Sequence, residues 1–382
     1  FSSWNKKRVI YFFNQLQEGK KMLTKQFKIA TGAVVAGAMV LGLGTATPAK
    51  SAEMINLTAI DGYSPKSMWV KEFIEFLIPE IDKGLAKTGN YKVKWNQAWG
   101  GQIVKPRGVM GAMQKGLGDI GVVTTVFHSD KVPLQMIAYA TPFVTSDPVL
   151  IARTVDKLVG KYPQYRAAFK KFNQHYLTNA AVLDTYNIFS KKEIKGISDM
   201  KGIKTGSAGL NLLWLKNTGA VGVAGSLVKY HNWLSRGVVG AIMLWTESVV
   251  NRKMYEVAPY MLKANLGSAN SKAITMNINS WNKLPGEAKK VITTAANAYR
   301  EHVTRAAKAV AKAKEAQFVA KGGKINVLAQ AQRVKWANEM PDVASAWAGR
   351  LEKKGIPGKA ILKTYMDAMR AANQPIVRHW DK

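Results

Sequence analysis

Val109 to Thr125 read VMGAMQKGLGDIGVVTT. Val109, Met110, Met113 and Leu117 recur at the spacing of an amphipathic helix, and a glycine-marked turn then leads into the apolar run of a buried strand. Leu227 to Ser248, LVKYHNWLSRGVVGAIMLWTES, repeat the plan: Leu227, Val228, His231 and Leu234 cluster on one side of a helix, Gly237 marks a turn, and VVGAIMLW continues as a strand. Two copies of helix, glycine and buried strand, one in each half of the chain, predict two α/β domains of similar design.

The flanking segments extend that order. EMINLTAI (53–60) alternates as a first strand, DGYSPKS turns, a helix follows up to a capping glycine at Gly89, and NYKVKWNQAW alternates again. The first half therefore reads β-α-β-α-β. Residues 147–174 read as helical, LTNAAVLDT and NIFSKKEI as strands, and DMKGIKTGSAGLNLLWLKNTG as turn, short strand, glycine turn and a helix from about Leu210. In the C-terminal third, a helix opens near Pro285 with Glu287 in its first turn and stops at Gly322 and Gly323. At ~1.5 Å per residue it exceeds about 50 Å and is expected to bridge both domains. The predicted division is a leader over 1–52, domain I over 53–176 with part of 268–300, domain II over 177–267, the bridging helix over 285–321 and a helical segment over 322–382.

The 382 residues are 47% hydrophobic and 21% charged, a globular composition. The net charge of +32 is spread along the whole length without a basic tail, arm or zinc-finger spacing, so it reads as a general surface property and no nucleic-acid partner is expected. The absence of cysteine excludes thiolate metal sites, cysteine nucleophiles and disulfides. The five histidines carry no ligand spacing, and neither a metal nor a cofactor is expected. Near the start, the basic stretch KKMLTKQFK precedes the apolar run Ile29–Gly44 and the small residues of TPAKSAE. That order predicts a secretory signal peptide cut near residue 52, hence export to the periplasm; the run is short and glycine-rich for a membrane anchor, and residues 1–21 precede a plausible start at Met22.

Catalytic patterns are missing: no GxSxG, no HExxH and few acids. Lys201–Gly209, KGIKTGSAG, looks suited to an anion but matches neither GxxxxGK[ST] nor GxGxxG. A binding cleft fits better, because ligands of open α/β sheets sit beyond the carboxyl ends of the strands and between domains. The candidates are Tyr63 after the first strand, Trp99 and Gln102 after the second, Thr124, Thr125 and Phe127 after the third, Thr205 to Ser207 in KGIKTGSAG, and Trp245 and Glu247 after the fifth, with Asn187 opening NIFSKKEI. Hydroxyls, amides and aromatic faces of this kind recognise a small polar solute without catalysis.

YKVKWNQAWGGQI, VPLQMIAYATPF, DMKGIKTGSAG, LSRGVVGAIMLWTESVV, MYEVAPYM and ITMNINSWNKLPGEAKKVI, in that order over nearly the whole chain after the leader, resemble the solute-binding proteins of tripartite ATP-independent periplasmic (TRAP) transporters, the C4-dicarboxylate-binding family. The resemblance implies two α/β domains joined by hinge strands, a long bridging helix, and closure on a solute delivered to a membrane permease. It also implies an arginine, on the strand after the L-K-G pattern, that clamps a ligand carboxylate; here Gly206 stands at that place, and Gly240 replaces the acid of G-V-V-D-G. Trp245 and Glu247 are similar to the PWE segment of one branch. Three substitutes for the arginine are open. Lys204, Arg107 or Lys105 supplies the cation; or Ser207, Thr205 and backbone amides hold a sulfonate or neutral group; or Glu247 meets a cationic amine. The expected function is capture of a small organic anion, with a zwitterionic or neutral solute as the alternative and a periplasmic α/β enzyme or an ATP-driven importer component as competing classes.

Overall fold

The computed structural model describes residues 51–382; the expected leader up to residue 50 lies outside the described residues. The strands, in chain order, are β1 (Glu53–Ile60), β2 (Tyr91–Ala98), β3 (Ile120–Thr124), β4 (Gln174–Ala180), β5 (Asn187–Ser190), β6 (Lys204–Ser207), β7 (Val221–Ala224), β8 (Ala241–Leu244), β9 (Tyr260–Lys263), β10 (Lys272–Asn277) and β11 (Lys324–Val327). They form two sheets, ordered β2-β1-β3-β10-β4 and β11-β9-β5-β8-β6-β7. β1 runs parallel to β2 and β3, while β10 returns antiparallel between β3 and β4, with Lys272 opposite Thr124 and Ala180. In the second sheet β6 is parallel to β7 and β8, and β5 is antiparallel to β8 and β9. One helix–glycine–strand copy feeds each sheet: Val109–Gln114 leads to β3, and Leu227–Ser235 leads to β8.

The departures from the sequence pattern have local causes. The helix after β1 is interrupted by a π-helical turn, Phe73–Leu77, immediately before Ile78 and Pro79. Pro79 has no N–H to give back to the preceding turn, so the hydrogen-bond ladder shifts register there. The strand expected over VVGAIMLW begins only at Ala241, because the amides of Val238 and Val239 bond the Trp233 carbonyl and close the helix instead. The helix expected from about Leu210 is a 3₁₀ segment, Gly209–Leu215. Gly209 sits at φ 53°, and a Cβ there would come within 2.3 Å of the Val126 carbonyl oxygen, so this segment starts pressed against the end of β3.

Two chain segments cross between the sheets, one from β4 to β5 and one from β9 to β10, and they bond each other. Tyr186 N donates to Gly267 O at 3.1 Å, Leu266 N to Tyr186 O at 3.0 Å, and Ser268 Oγ to Leu183 O at 2.6 Å. The long helix, Gly286–Ala320, holds the two ends of the molecule in one frame. Glu287 in its first turn accepts from Asn90 Nδ2 at 3.0 Å beside β2, and Glu315 near its end accepts from Lys263 Nζ at 2.7 Å on β9. Midway, the buried Tyr299 hydroxyl donates to the Trp69 carbonyl at 2.7 Å. Trp336, Trp347 and Trp380 tie the C-terminal helices down by donating their indole N–H groups to the carbonyls of Trp214, Pro133 and Pro142. No helix among the described residues is long and apolar enough to cross a membrane.

Tyr299 separates hydrogen bonding from packing in this frame. Tyr299→Phe should cost about 1 kcal/mol and Tyr299→Ala about 3–5 kcal/mol in urea unfolding, since the alanine also leaves a cavity. Equal losses in the two variants would contradict the packing role.

Candidate functional site

The strand ends of both sheets meet around one cavity of about 40 Å³, walled by Tyr63, Thr124 and Phe127 from one side and by Ser207, Tyr230 and Trp245 from the other. Tyr139, Tyr186, Ser226, Ser271 and Lys272 complete its polar lining. At about 10–15 Å³ per water, this holds about three water molecules.

Asp61 follows β1, and its carboxylate accepts from the Tyr63 backbone N–H at 3.0 Å and from Trp69 Nε1 at 2.8 Å. Those two bonds fix the turn that carries Tyr63, and Gly62 within it touches the backbone of Lys105 and Pro106 so closely that a Cβ would lie 2.2 Å from Pro106 N. Across the sheet, Lys272 opens β10 beside the end of β3. Its ammonium donates to Thr124 Oγ1 at 2.9 Å and stands 3.8 Å over the Trp69 ring and 5.3 Å from that of Tyr63. A linked run of rings continues from there: Trp69 to Trp245 at 6.4 Å, Trp245 to Tyr186 at 5.8 Å, and Tyr186 to Tyr139 at 6.4 Å, with 3.3 Å between the last two hydroxyls.

Burial sets the ionisation of these groups. It pushes the Lys272 ammonium down to about 7, against the opposing field of the Asp61 carboxylate, and it pushes Asp61 up to about 6, against Lys272 and the two N–H donors. The Tyr63, Tyr139 and Tyr230 phenols are held above their ordinary value by burial, and Tyr186 is pushed up to about 12. All four phenols therefore stay neutral near pH 7 and can donate a hydrogen bond. The Ser271 hydroxyl is buried beside Tyr139 with no hydrogen-bond partner among the described residues.

The residues expected from the sequence divide into three groups. Tyr63, Thr124, Phe127, Ser207 and Trp245 line the cavity. Arg107, Thr125, Asn187 and Gly206 lie around it without lining it. Arg107 stacks 4.2 Å over Phe127 and donates to Gly225 O at 3.1 Å; Thr125 Oγ1 donates to Asn270 O at 3.3 Å; Asn187 Oδ1 accepts from Asn265 N at 2.9 Å. A Cβ on Gly206 would meet the Tyr230 ring at 3.3 Å, so Tyr230 fills the space beside the position where an arginine was expected. Trp99, Gln102, Lys204 and Glu247 stand away. The Trp99 indole donates to Gln97 at 3.0 Å and its ring packs on Phe73; Gln102 and Lys204 are exposed. Glu247 turns behind the cavity wall, accepting from Trp245 Nε1 at 2.9 Å and Asn251 Nδ2 at 2.6 Å, and lines a separate groove of about 610 Å³ with Lys71, Arg252 and Lys314. Lys272, Asp61, Tyr139 and Tyr186 are the lining or supporting groups that the sequence reading did not single out. The signal for Lys272 was a lone charge opening an otherwise buried strand, KAITMN. Among the described residues no cluster of His, Asp and Glu could hold a metal ion.

A family model for bacterial extracellular solute-binding proteins, family 7, matches residues 81–350. No individually curated protein matches the sequence. A TRAP periplasmic solute-binding protein from Desulfovibrio salexigens superimposes with a TM-score of 0.71 at 21% identity, over 83% of this chain and 96% of that one. A TRAP solute-binding protein from Rhodoferax ferrireducens in complex with copurified benzoate gives 0.73 at 18% identity, over 84% and 98%. A Bordetella pertussis extracytoplasmic solute receptor binding pyroglutamic acid gives 0.70 at 17% identity, over 84% and 100%. At such identities the likeness is one of fold: two α/β sheets and a long helix.

Glu247 supplies a pH test of the cavity wall. Burial holds its carboxyl above the ordinary value, at about 7, with the Trp245 N–H opposing. A raised folded-state value means that this group's stability is present in full below about 4.5 and is lost as pH rises through about 7. Glu247→Gln does not titrate, so its stability, read by Tm, should gain on wild type as pH rises across that window, by on the order of 3 kcal/mol in all. A Tm difference that stays flat from pH 4.5 to 7 would show that the carboxyl titrates normally.

Proposed function

This chain belongs to the bacterial extracellular solute-binding protein family 7, and on that footing we propose that it is an exported periplasmic receptor that captures a small organic anion, a carboxylate or sulfonate, between its two sheets and delivers it to a TRAP membrane permease. It is a transport protein that binds a solute, and it is not an enzyme.

The observation that carries the reading is the cavity itself: it lies where the strand ends of two sheets converge, it is lined by neutral phenols, hydroxyls and indole faces, and its one charged lining residue, among those described, is a lysine. Hydrogen-bond donors around a single cation suit an anion. The solutes of solved relatives in this fold point the same way, being organic acids: benzoate, mandelate, succinate and pyroglutamate. A leader that ends near residue 52 would place the folded chain in the periplasm.

Capture needs motion, because a cavity with room for about three waters cannot admit a ring-sized acid as it stands. In this reading residues 53–180 together with β10 form one lobe, and β5 to β9 together with β11 form the other. They part by bending the two mutually bonded segments between β4 and β5 and between β9 and β10, while the long helix spans both. Arg107 closes the seam by bonding Gly225 across it.

Protein purified without denaturation should release a small organic acid on unfolding, seen by mass spectrometry in negative-ion mode. Re-adding that acid should raise Tm by several degrees, and Trp245→Ala, which removes part of the cavity wall, should reduce the rise to near zero while the far-ultraviolet circular dichroism is retained. An unchanged rise in Trp245→Ala would place the solute elsewhere.

A further inference from the structure

We propose that the Lys272 ammonium is the anchor for a single ligand carboxylate, and that the cavity takes small monocarboxylates with a flat, mainly apolar body; this rests on the solute-binding reading above. The first observation is the state of the lysine. Its side chain is 2% exposed and lines the cavity, yet among the described residues its three N–H donors find one oxygen acceptor, Thr124 Oγ1, and one aromatic face, Trp69. A buried ammonium with donors left over is costly unless an acceptor arrives. Asp61 does not fill that role by contact: among the described residues its carboxylate oxygens accept from the Tyr63 N–H and the Trp69 indole and form no ion pair with Lys272. It lends Lys272 a compensating field and leaves the ammonium's free donors for a ligand.

The second observation is independent of the first. Ser271, adjacent in sequence to Lys272, buries its hydroxyl in the same wall against the neutral phenol of Tyr139, close enough to lower that phenol's pKa yet without a well-formed hydrogen bond to it. A carboxylate has two oxygens. One oxygen on Lys272 and the other on the Ser271 hydroxyl would give both groups the acceptor they lack.

The remaining walls limit the rest of the molecule. Tyr63, Phe127, Tyr230 and Trp245 present ring faces and edges, and Met243 and Leu244 are apolar. Arg107 and Arg252 each give one N–H, to Gly225 O and Ser67 Oγ, and neither lines the cavity. A second carboxylate would be buried without a cation, which penalises dicarboxylates and favours one anionic group on a compact planar body.

The test titrates wild type and Lys272→Met calorimetrically with benzoate, its neutral isostere benzamide, and succinate. Wild type should bind benzoate at least about 100-fold more tightly than benzamide or succinate, the worth of a charge-assisted contact in a buried site. Lys272→Met should bind benzoate and benzamide within a few-fold of each other. A crystal structure of the wild-type complex needs no variant to fold and should place a carboxylate oxygen within about 3 Å of Lys272 Nζ. Unchanged benzoate affinity in Lys272→Met, or a carboxylate bound away from Nζ, would overturn the anchor. Preference for succinate would overturn the substrate class while leaving the solute-binding reading intact. Failure of wild type to bind any organic acid, with none released on unfolding, would remove both.

Discussion

A lysine ammonium cannot be buried in an aromatic wall without something to offset its lost hydration, and the site is organised around that constraint. Asp61 supplies a field but is itself held by Tyr63 and Trp69, so the offset reaches Lys272 through the same turn that positions the aromatic wall. Thr124 meets Lys272 as its cross-strand neighbour in the β3–β10 pair. Strand pairing, the turn after β1 and the ring stack thus converge on one charge. Altering any of them changes how much that charge depends on a partner in the cavity.

The larger architecture lets this cluster both exist and open. β10 leaves the second sheet's side of the chain and enters the middle of the first sheet, bringing Lys272 to the ends of β1 and β3, where parallel strands leave side chains free to face a ligand. The segment that delivers it is bonded to the segment carrying Tyr186, so the lysine and that phenol are linked through one hydrogen-bonded ribbon. The crossing that would bend in the proposed closure is the one that places the cation.

Much of this was legible in the sequence where periodicity is strong. The helix–glycine–strand copies, the alternation of β1 and β2 and the long C-terminal helix follow from residue spacing, and the strand-end rule leads to Tyr63, Thr124, Phe127, Ser207 and Trp245, which wall the cavity. The rest depends on tertiary context. Tyr139 lies in an irregular segment and Tyr186 in the crossing ribbon, neither of which has a period to read. Lys272 is one of 56 basic residues in a chain of net charge +32, where a single functional cation has no compositional contrast. Glu247 follows a strand just as Trp245 does, but the helix that begins at Thr246 turns it behind the wall. At Gly206 the pattern identified what was missing and not what stands nearby, because those groups lie on other elements: Tyr230, on the helix Leu227–Ser235, fills the space, and the buried lysine is on β10.

A buried lysine that waits for an anion shows itself in the protons exchanged on binding. Burial lowers the Lys272 ammonium below its ordinary value in the free protein, with Asp61 opposing that shift and Arg252 adding to it. An anion seated on the ammonium must raise its proton affinity again. Titrating a bound organic acid at pH 8 in buffers of different ionisation enthalpy should therefore report uptake of a substantial fraction of one proton per solute, lost in Lys272→Met. Binding with no proton uptake in wild type would contradict it.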